Sequence, residues 1–134
     1  MDQVEANKAI AVRVVKGFGN VDFDTLTQLL HEDMDYNVLG MGKLRRKDIF
    51  DALGGLSADA ESMAIEPRTV TAEGDRVIIQ ADGNMQFKNG VSYRNSYCFV
   101  FRLADGKVVE GHEYLDTALI ERLFGPDALS AVGS

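Results

Sequence analysis

The 134-residue chain has no tryptophan, one cysteine, two prolines and two histidines. A lone Cys98 excludes an internal disulfide framework and points to a reducing compartment, the cytoplasm. His31, His112 and that cysteine are too few and too scattered for a zinc ligand set. Basic residues are also short: 14 Lys and Arg stand against 21 Asp and Glu, a formal charge of −7. That balance excludes the basic face which a nucleic acid or an anionic membrane would require. No apolar stretch reaches bilayer length, and Met1–Asp2–Gln3–Val4–Glu5 lacks the basic-then-apolar layout of a secretory leader. The sequence holds no phosphate loop, dinucleotide fingerprint or serine nucleophile elbow. Any chemistry is therefore expected to be acid–base work with no cofactor and no metal.

What is present is an ordinary globular composition, 46% hydrophobic and 26% charged, at a length that makes one domain with its own core. Residues 1–125 are expected to form that domain and 126–134 a flexible tail. Ile10, Ala11, Val14, Val15 and Phe18 recur at helical spacing, and Gly17 and Gly19 close the segment. Asp22 or Asp24 can cap a second helix carrying Phe23, Leu26, Leu29 and Leu30, with His31 at its carbonyl end. Met34–Leu39 reads as a short strand. Ile49, Leu53 and Leu56 mark a third helix, stopped around Gly54–Gly55.

From about Glu61 the period falls to two. Ser62–Ala72, Asp75–Phe87, Val91–Leu103 and Lys107–Leu115 read as strands joined by hairpin-sized turns at Glu73–Gly74–Asp75, Lys88–Asn89–Gly90 and Asp105–Gly106. Asp116 then caps a last helix, Thr117–Phe124, which Gly125–Pro126 ends. Helices segregated from an antiparallel meander make an α+β two-layer domain, and a sheet curled around helices leaves a concave pocket.

Within the last strand, Glu113 shares a face with Val109, Gly111 and Leu115. A carboxyl there either loses hydration, which raises its pKa toward the range useful for proton transfer, or faces water beside Arg94 or Arg102. Tyr93, Asn95, Tyr97, Phe99, Phe101 and Leu103 form the inward face of the preceding strand. Asn95 and Tyr97 need polar partners there, which a ligand or each other could supply. Val77, Ile79 and Ala81 alternate with Ile78, Gln80, Asp82 and Asn84. Plain alternation exposes Asp82. Ile78 on the polar side suggests instead that both faces are covered, with a polar concave pocket and a second subunit on the convex face. Tyr36 and Asn37 either reach the cavity mouth or sit at a sheet edge. His112 falls on the face opposite Glu113 and suits an interface better than catalysis.

Tyr93–Arg94–Asn95–Ser96–Tyr97–Cys98–Phe99–Val100–Phe101–Arg102, then Asp105–Gly106–Lys107–Val108–Val109 and Glu113–Tyr114–Leu115–Asp116, resemble the C-terminal half of SnoaL-like proteins of the nuclear transport factor 2-like superfamily. The resemblance covers nearly the whole chain. It implies a cone-shaped, curved antiparallel sheet packed on N-terminal helices around an internal pocket, the cystatin-like α+β roll. Relatives include polyketide cyclases, ketosteroid isomerases and limonene epoxide hydrolases. Aligned on the last of these, the first pocket acid falls on Asp82, the second on Glu113 and the intervening arginine on Gln80, with Asn37 next to Tyr36 at the water-holding positions. The same alignment turns Asn84, Asn95, Tyr97 and Leu115 into the pocket. The resemblance thus implies a cofactor-independent enzyme on a small hydrophobic or polycyclic molecule. Asp82 and Glu113 would serve as its acid–base pair, and a homodimer would form through the convex sheet face. Its alternative is a non-catalytic ligand-binding or dimerisation domain.

Overall fold

A computed structural model describes residues 2–129. Asp2 opens helix α1 (Gln3–Asn20) by accepting a hydrogen bond from the Glu5 N–H at 2.8 Å. Its buried stripe is Ala11, Val14, Val15 and Phe18, as helical spacing requires. Asp22 caps α2 (Phe23–Leu29) through the Thr25 N–H. The chain then turns directly into β1 (Leu30–Val38), followed by the short β2 (Gly42–Leu44), α3 (Arg46–Asp59) and four long strands. These are β3 (Ala60–Glu73), β4 (Arg76–Phe87), β5 (Ser92–Ala104) and β6 (Lys107–Leu115), with α4 (Thr117–Phe124) last.

The six strands form one sheet in the order β2-β1-β6-β5-β4-β3. The meander β3 to β6 is antiparallel throughout. The sheet as a whole is mixed rather than antiparallel, because β6 returns beside β1 in the same direction, pairing Tyr36 with Gly111 and Val38 with Glu113. Hairpin signals report only neighbours along the chain, and this pairing joins segments about half the chain apart. Register shifts in β3, between β1 and β6, and between β5 and β6 bend the strands. Pro67 lies at one of these irregularities on the edge strand β3, where a missing N–H is tolerated.

Alternation along β4 and β5 sends Val77, Ile79, Ala81, Phe99, Phe101 and Leu103 inward toward α1, whose Phe18 meets Phe99. The result is an α+β fold with the N-terminal helices on the concave face of a curved sheet.

Three local expectations change. His31 lies on β1, not at a helix end, and its Nδ1 accepts from the Asp33 N–H. Helix α3 runs on through Gly54–Gly55 to Asp59. Residues 126–129 form a turn that buries Leu129 instead of beginning a loose tail, whose remainder (130–134) lies outside the described residues. No helix among the described residues is long and apolar enough to cross a membrane.

Candidate functional site

Between the helices and the sheet lies a cavity of about 710 Å³. Phe18 of α1, Leu53 and Leu56 of α3, and Ile120 and Phe124 of α4 wall it on the helical side. Exposed Asp59, Lys88 and Asn89 mark its mouth. The sheet side carries the polar groups: Tyr36 from β1, Tyr93 and Tyr97 from β5, and Glu113 from β6. Such a space, mostly apolar with a few convergent polar groups, is the usual form of a small-molecule site.

Glu113 is the cavity's inner carboxyl. Parallel pairing of β1 with β6 sets Tyr36 close enough for its Oη–H to donate to Glu113 Oε1 at 2.9 Å. Among the described residues that is the carboxyl's one side-chain partner. The residue is half-buried by surface because the cavity reaches it, while protein closes around the carboxyl itself. Burial pushes its pKa up from 4.5 to about 7, against the opposing effect of the Tyr36 hydrogen bond. The Tyr36 hydroxyl moves well upward in turn, first through burial and then through the neighbouring negative charge, so it stays a donor.

A second polar group lies along β5. Asn95 Oδ1 accepts from two backbone N–H groups, Ser96 at 2.8 Å and Asp116 at 3.1 Å. Its Nδ2 donates to Tyr93 Oη at 2.7 Å and to the Asp116 carbonyl at 3.1 Å. Tyr93 Oη and Tyr97 Oη are 3.0 Å apart. Asn95 therefore stands behind the cavity wall, tying the start of α4 to β5 and supporting Tyr93.

The remaining expected residues do not gather here. Asp82, Gln80 and Asn84 alternate with the buried Ala81, Gly83 and Met85, so they lie on the outer face of the sheet. Asp82 pairs with Arg68, Gln80 accepts from the Thr69 hydroxyl, and Asn84 accepts from Gln86. Asp82 and Asn84 line a separate polar depression with Arg94 and Ser96. The strand follows plain alternation; the exposed Ile78 had suggested otherwise. Asp82 and Glu113 thus stand on opposite faces and cannot act as one acid–base pair. Asn37 likewise points away from the cavity, as the neighbour of inward Tyr36 on a strand must. Leu115 does line the cavity. His112 bonds Glu110 on the outer face, where Arg102 completes a cluster.

The SnoaL-like domain family matches residues 11–111. The chain belongs to the SnoaL-like family. Solved structures agree on the fold of this SnoaL-like protein. Bal32a, from a soil-derived mobile gene cassette, superposes with a TM-score of 0.79 at 23% identity, over 92% of this chain and 99% of its own. An M. tuberculosis LEH-like epoxide hydrolase gives 0.78 at 18% identity, over 91% and 92%. TerC, co-crystallised with polyporic acid, gives 0.74 at 20% identity, over 88% and 97%. No curated protein matches the sequence. The family match ends two residues before Glu113.

Two glycines of this SnoaL-like chain shape the site. A Cβ on Gly111 would stand 2.5 Å from the Tyr36 ring, and one on Gly83 would stand 2.5 Å from the Tyr97 ring. Tyr36 and Tyr97 thus each lie across a glycine of a neighbouring strand. An isolated glycine inside a strand pattern is the signal of such a close approach, and both were visible in that form. Tyr93 was visible only as one more inward aromatic; its role comes from the hydrogen bond with Asn95.

Proposed function

We propose that this SnoaL-like protein is an acid–base enzyme that acts without a cofactor on a small, mostly apolar molecule, with Glu113 moving the proton. The observation that carries the reading is a carboxyl set in the wall of an apolar cavity, with its pKa brought to about 7 by burial. At neutral pH such a group is present in both forms, so it can take a proton and return it. The Tyr36 O–H fixes Oε1 and leaves Oε2 without a side-chain partner among the described residues, which suits it to meet a ligand.

One carboxyl working alone fits isomerisation, elimination or ring closure, in which a proton leaves one atom and reaches another. It fits less well the charged trio implied by the resemblance to limonene epoxide hydrolases, because Gln80 and Asp82 lie outside the cavity. A non-catalytic ligand carrier is the second reading, favoured by how apolar the rest of the lining is. Proton exchange separates the two. Small aromatic and alicyclic ketones, incubated with the protein in deuterated water, should gain deuterium at their acidic C–H positions faster than without it. Glu113→Gln should abolish that gain while leaving binding intact. Binding without any protein-dependent exchange would establish the carrier, and exchange that survives Glu113→Gln would remove Glu113 from the chemistry.

The reading extends to assembly. We propose a homodimer joined through the outer sheet face, where Ile78 and Tyr114 stand 41% and 46% exposed. The single, unpaired Cys98 on that face fits a reducing compartment such as the cytoplasm.

A further inference from the structure

Proton counting along β5 shows a donor that the protein does not use. Asn95 cannot be turned end for end: two backbone N–H groups, from Ser96 and Asp116, require its oxygen where it is. Its amide nitrogen must therefore point at Tyr93 Oη and the Asp116 carbonyl, and both N–H bonds are spent. Tyr93 Oη receives one of them. The two phenols bring two protons to a single mutual contact at 3.0 Å, so one proton is left over. If Tyr93 donates to Tyr97, Tyr93 Oη accepts one bond and donates the next while Tyr97 Oη accepts, the arrangement in which each bond strengthens the next. The reverse order would load Tyr93 Oη with two incoming bonds and leave Tyr97 Oη with none. The favoured order is Asn95 to Tyr93 to Tyr97, and the unspent proton sits on Tyr97.

Tyr97 lines the cavity, and its hydroxyl has no protein partner except Tyr93 among the described residues. On the neighbouring strand, Leu115 pairs with Tyr97 and Glu113 with Phe99, so Glu113 lies one inward step along β6 from the position facing Tyr97. That diagonal spacing is about 7–8 Å on one face of a sheet. The cavity thus has an acceptor group and a donor group on neighbouring strands of one face, with apolar walls around them.

We infer that Tyr97 is the oxygen-recognising residue of the cavity, donating its hydroxyl proton to a carbonyl-type acceptor on an otherwise apolar ring compound, with Tyr93 and Asn95 setting the direction of that donation. This rests on the cavity being the ligand site of the proposed function, and it deepens that reading by naming the ligand class, a cyclic or aromatic ketone. It does not depend on turnover.

The test uses an acetylnaphthalene and the isosteric isopropenylnaphthalene, which differ in a carbonyl oxygen against a methylene. Calorimetric titration of the full chain should show the ketone binding about tenfold more tightly, the worth of one hydrogen bond to a ligand. The carbonyl infrared band of the bound ketone should move to lower frequency. Tyr97→Phe should bring the affinity ratio close to one and return the band, while Tyr93→Phe, which leaves the Tyr97 proton in place, should keep most of both effects. Glu113→Gln should keep the ratio, so a failure of the proton-transfer chemistry is told apart from a failure of recognition. Equal binding of the two compounds by the unaltered protein would overturn the inference, as would rejection of both. A ratio lost with Tyr93→Phe but kept with Tyr97→Phe would overturn it too, since the chain would then run the other way.

Discussion

At the scale of single residues, Glu113 ties the fold to pH. Its carboxyl has a folded-state pKa of about 7 against 4.5 for the exposed group, so the folded chain holds this proton more tightly than the unfolded chain does. The contribution is fully present below about 4.5 and is lost as pH rises to about 7, beyond which the ionised group remains a constant cost. The interval corresponds to roughly 3 kcal/mol as an upper figure. Denaturant titrations of the unaltered chain and of Glu113→Gln, run from pH 4 to pH 8, should diverge in that direction. The unaltered chain should lose stability relative to the variant across the interval, and parallel curves would show that the carboxyl is ionised and well solvated. Gly111 is the second residue whose role can be read directly. Because a Cβ there would meet the Tyr36 ring at 2.5 Å, Gly111→Ala should cost about 1–3 kcal/mol. It should also shift the Glu113 titration, since the displaced ring carries the hydroxyl bonded to it. A variant as stable as the parent, with the same titration, would mean that the ring moves aside freely.

At the scale of elements, α3 is the weak member. Gly54 and Gly55 lie inside the helix, and a Cβ on either would meet nothing within 4 Å, so packing does not require them. Each lowers helix stability by about 0.5–1 kcal/mol relative to alanine. They sit between Leu53 and Leu56, both of which line the cavity, while the Lys88 ammonium and backbone N–H hold the far end at Ala58 and Asp59. Gly54→Ala and Gly55→Ala should each raise the midpoint of thermal unfolding and slow the release of a bound naphthalene. Unchanged midpoints would place the cost of these glycines elsewhere. The same pair explains a boundary that sequence reading misplaces, since two glycines signal a helix end unless tertiary contacts carry the helix across them. The long strands were legible because their two-residue period and turn residues are local, and so were the inward positions of Tyr97 and Asn95, whereas alternation left Glu113 either inward or in water beside an arginine. The pairing of β6 with β1 was not, for it depends on contact between distant segments, and with it the Tyr36–Glu113 bond stayed hidden. Asp82 was misplaced for a different reason: an aligned acid outweighed the simple alternation that puts it outside.

At the scale of the whole molecule, the outer sheet face raises the question of a partner. Register places Ile78, Val100 and His112 in one row across β4, β5 and β6, and Gln80, Cys98 and Tyr114 in the next. The Arg102–Glu110 and Arg68–Asp82 pairs flank these rows. An apolar centre with a charged rim is the anatomy of a protein interface, and two copies of the same face can meet about a twofold axis. Each copy brings a charge of −7, so association works against long-range repulsion that salt screens. Sedimentation should therefore give twice the 14.7 kDa chain mass, with a dimer that tightens as salt is added. Ile78→Glu should yield a folded monomer, because the residue is exposed in the single chain and plays no part in its core. A wild-type monomer at every salt concentration would remove the dimer. A dimer that survives both Ile78→Glu and Tyr114→Glu would place the contact on another face, leaving the outer rows to solvent.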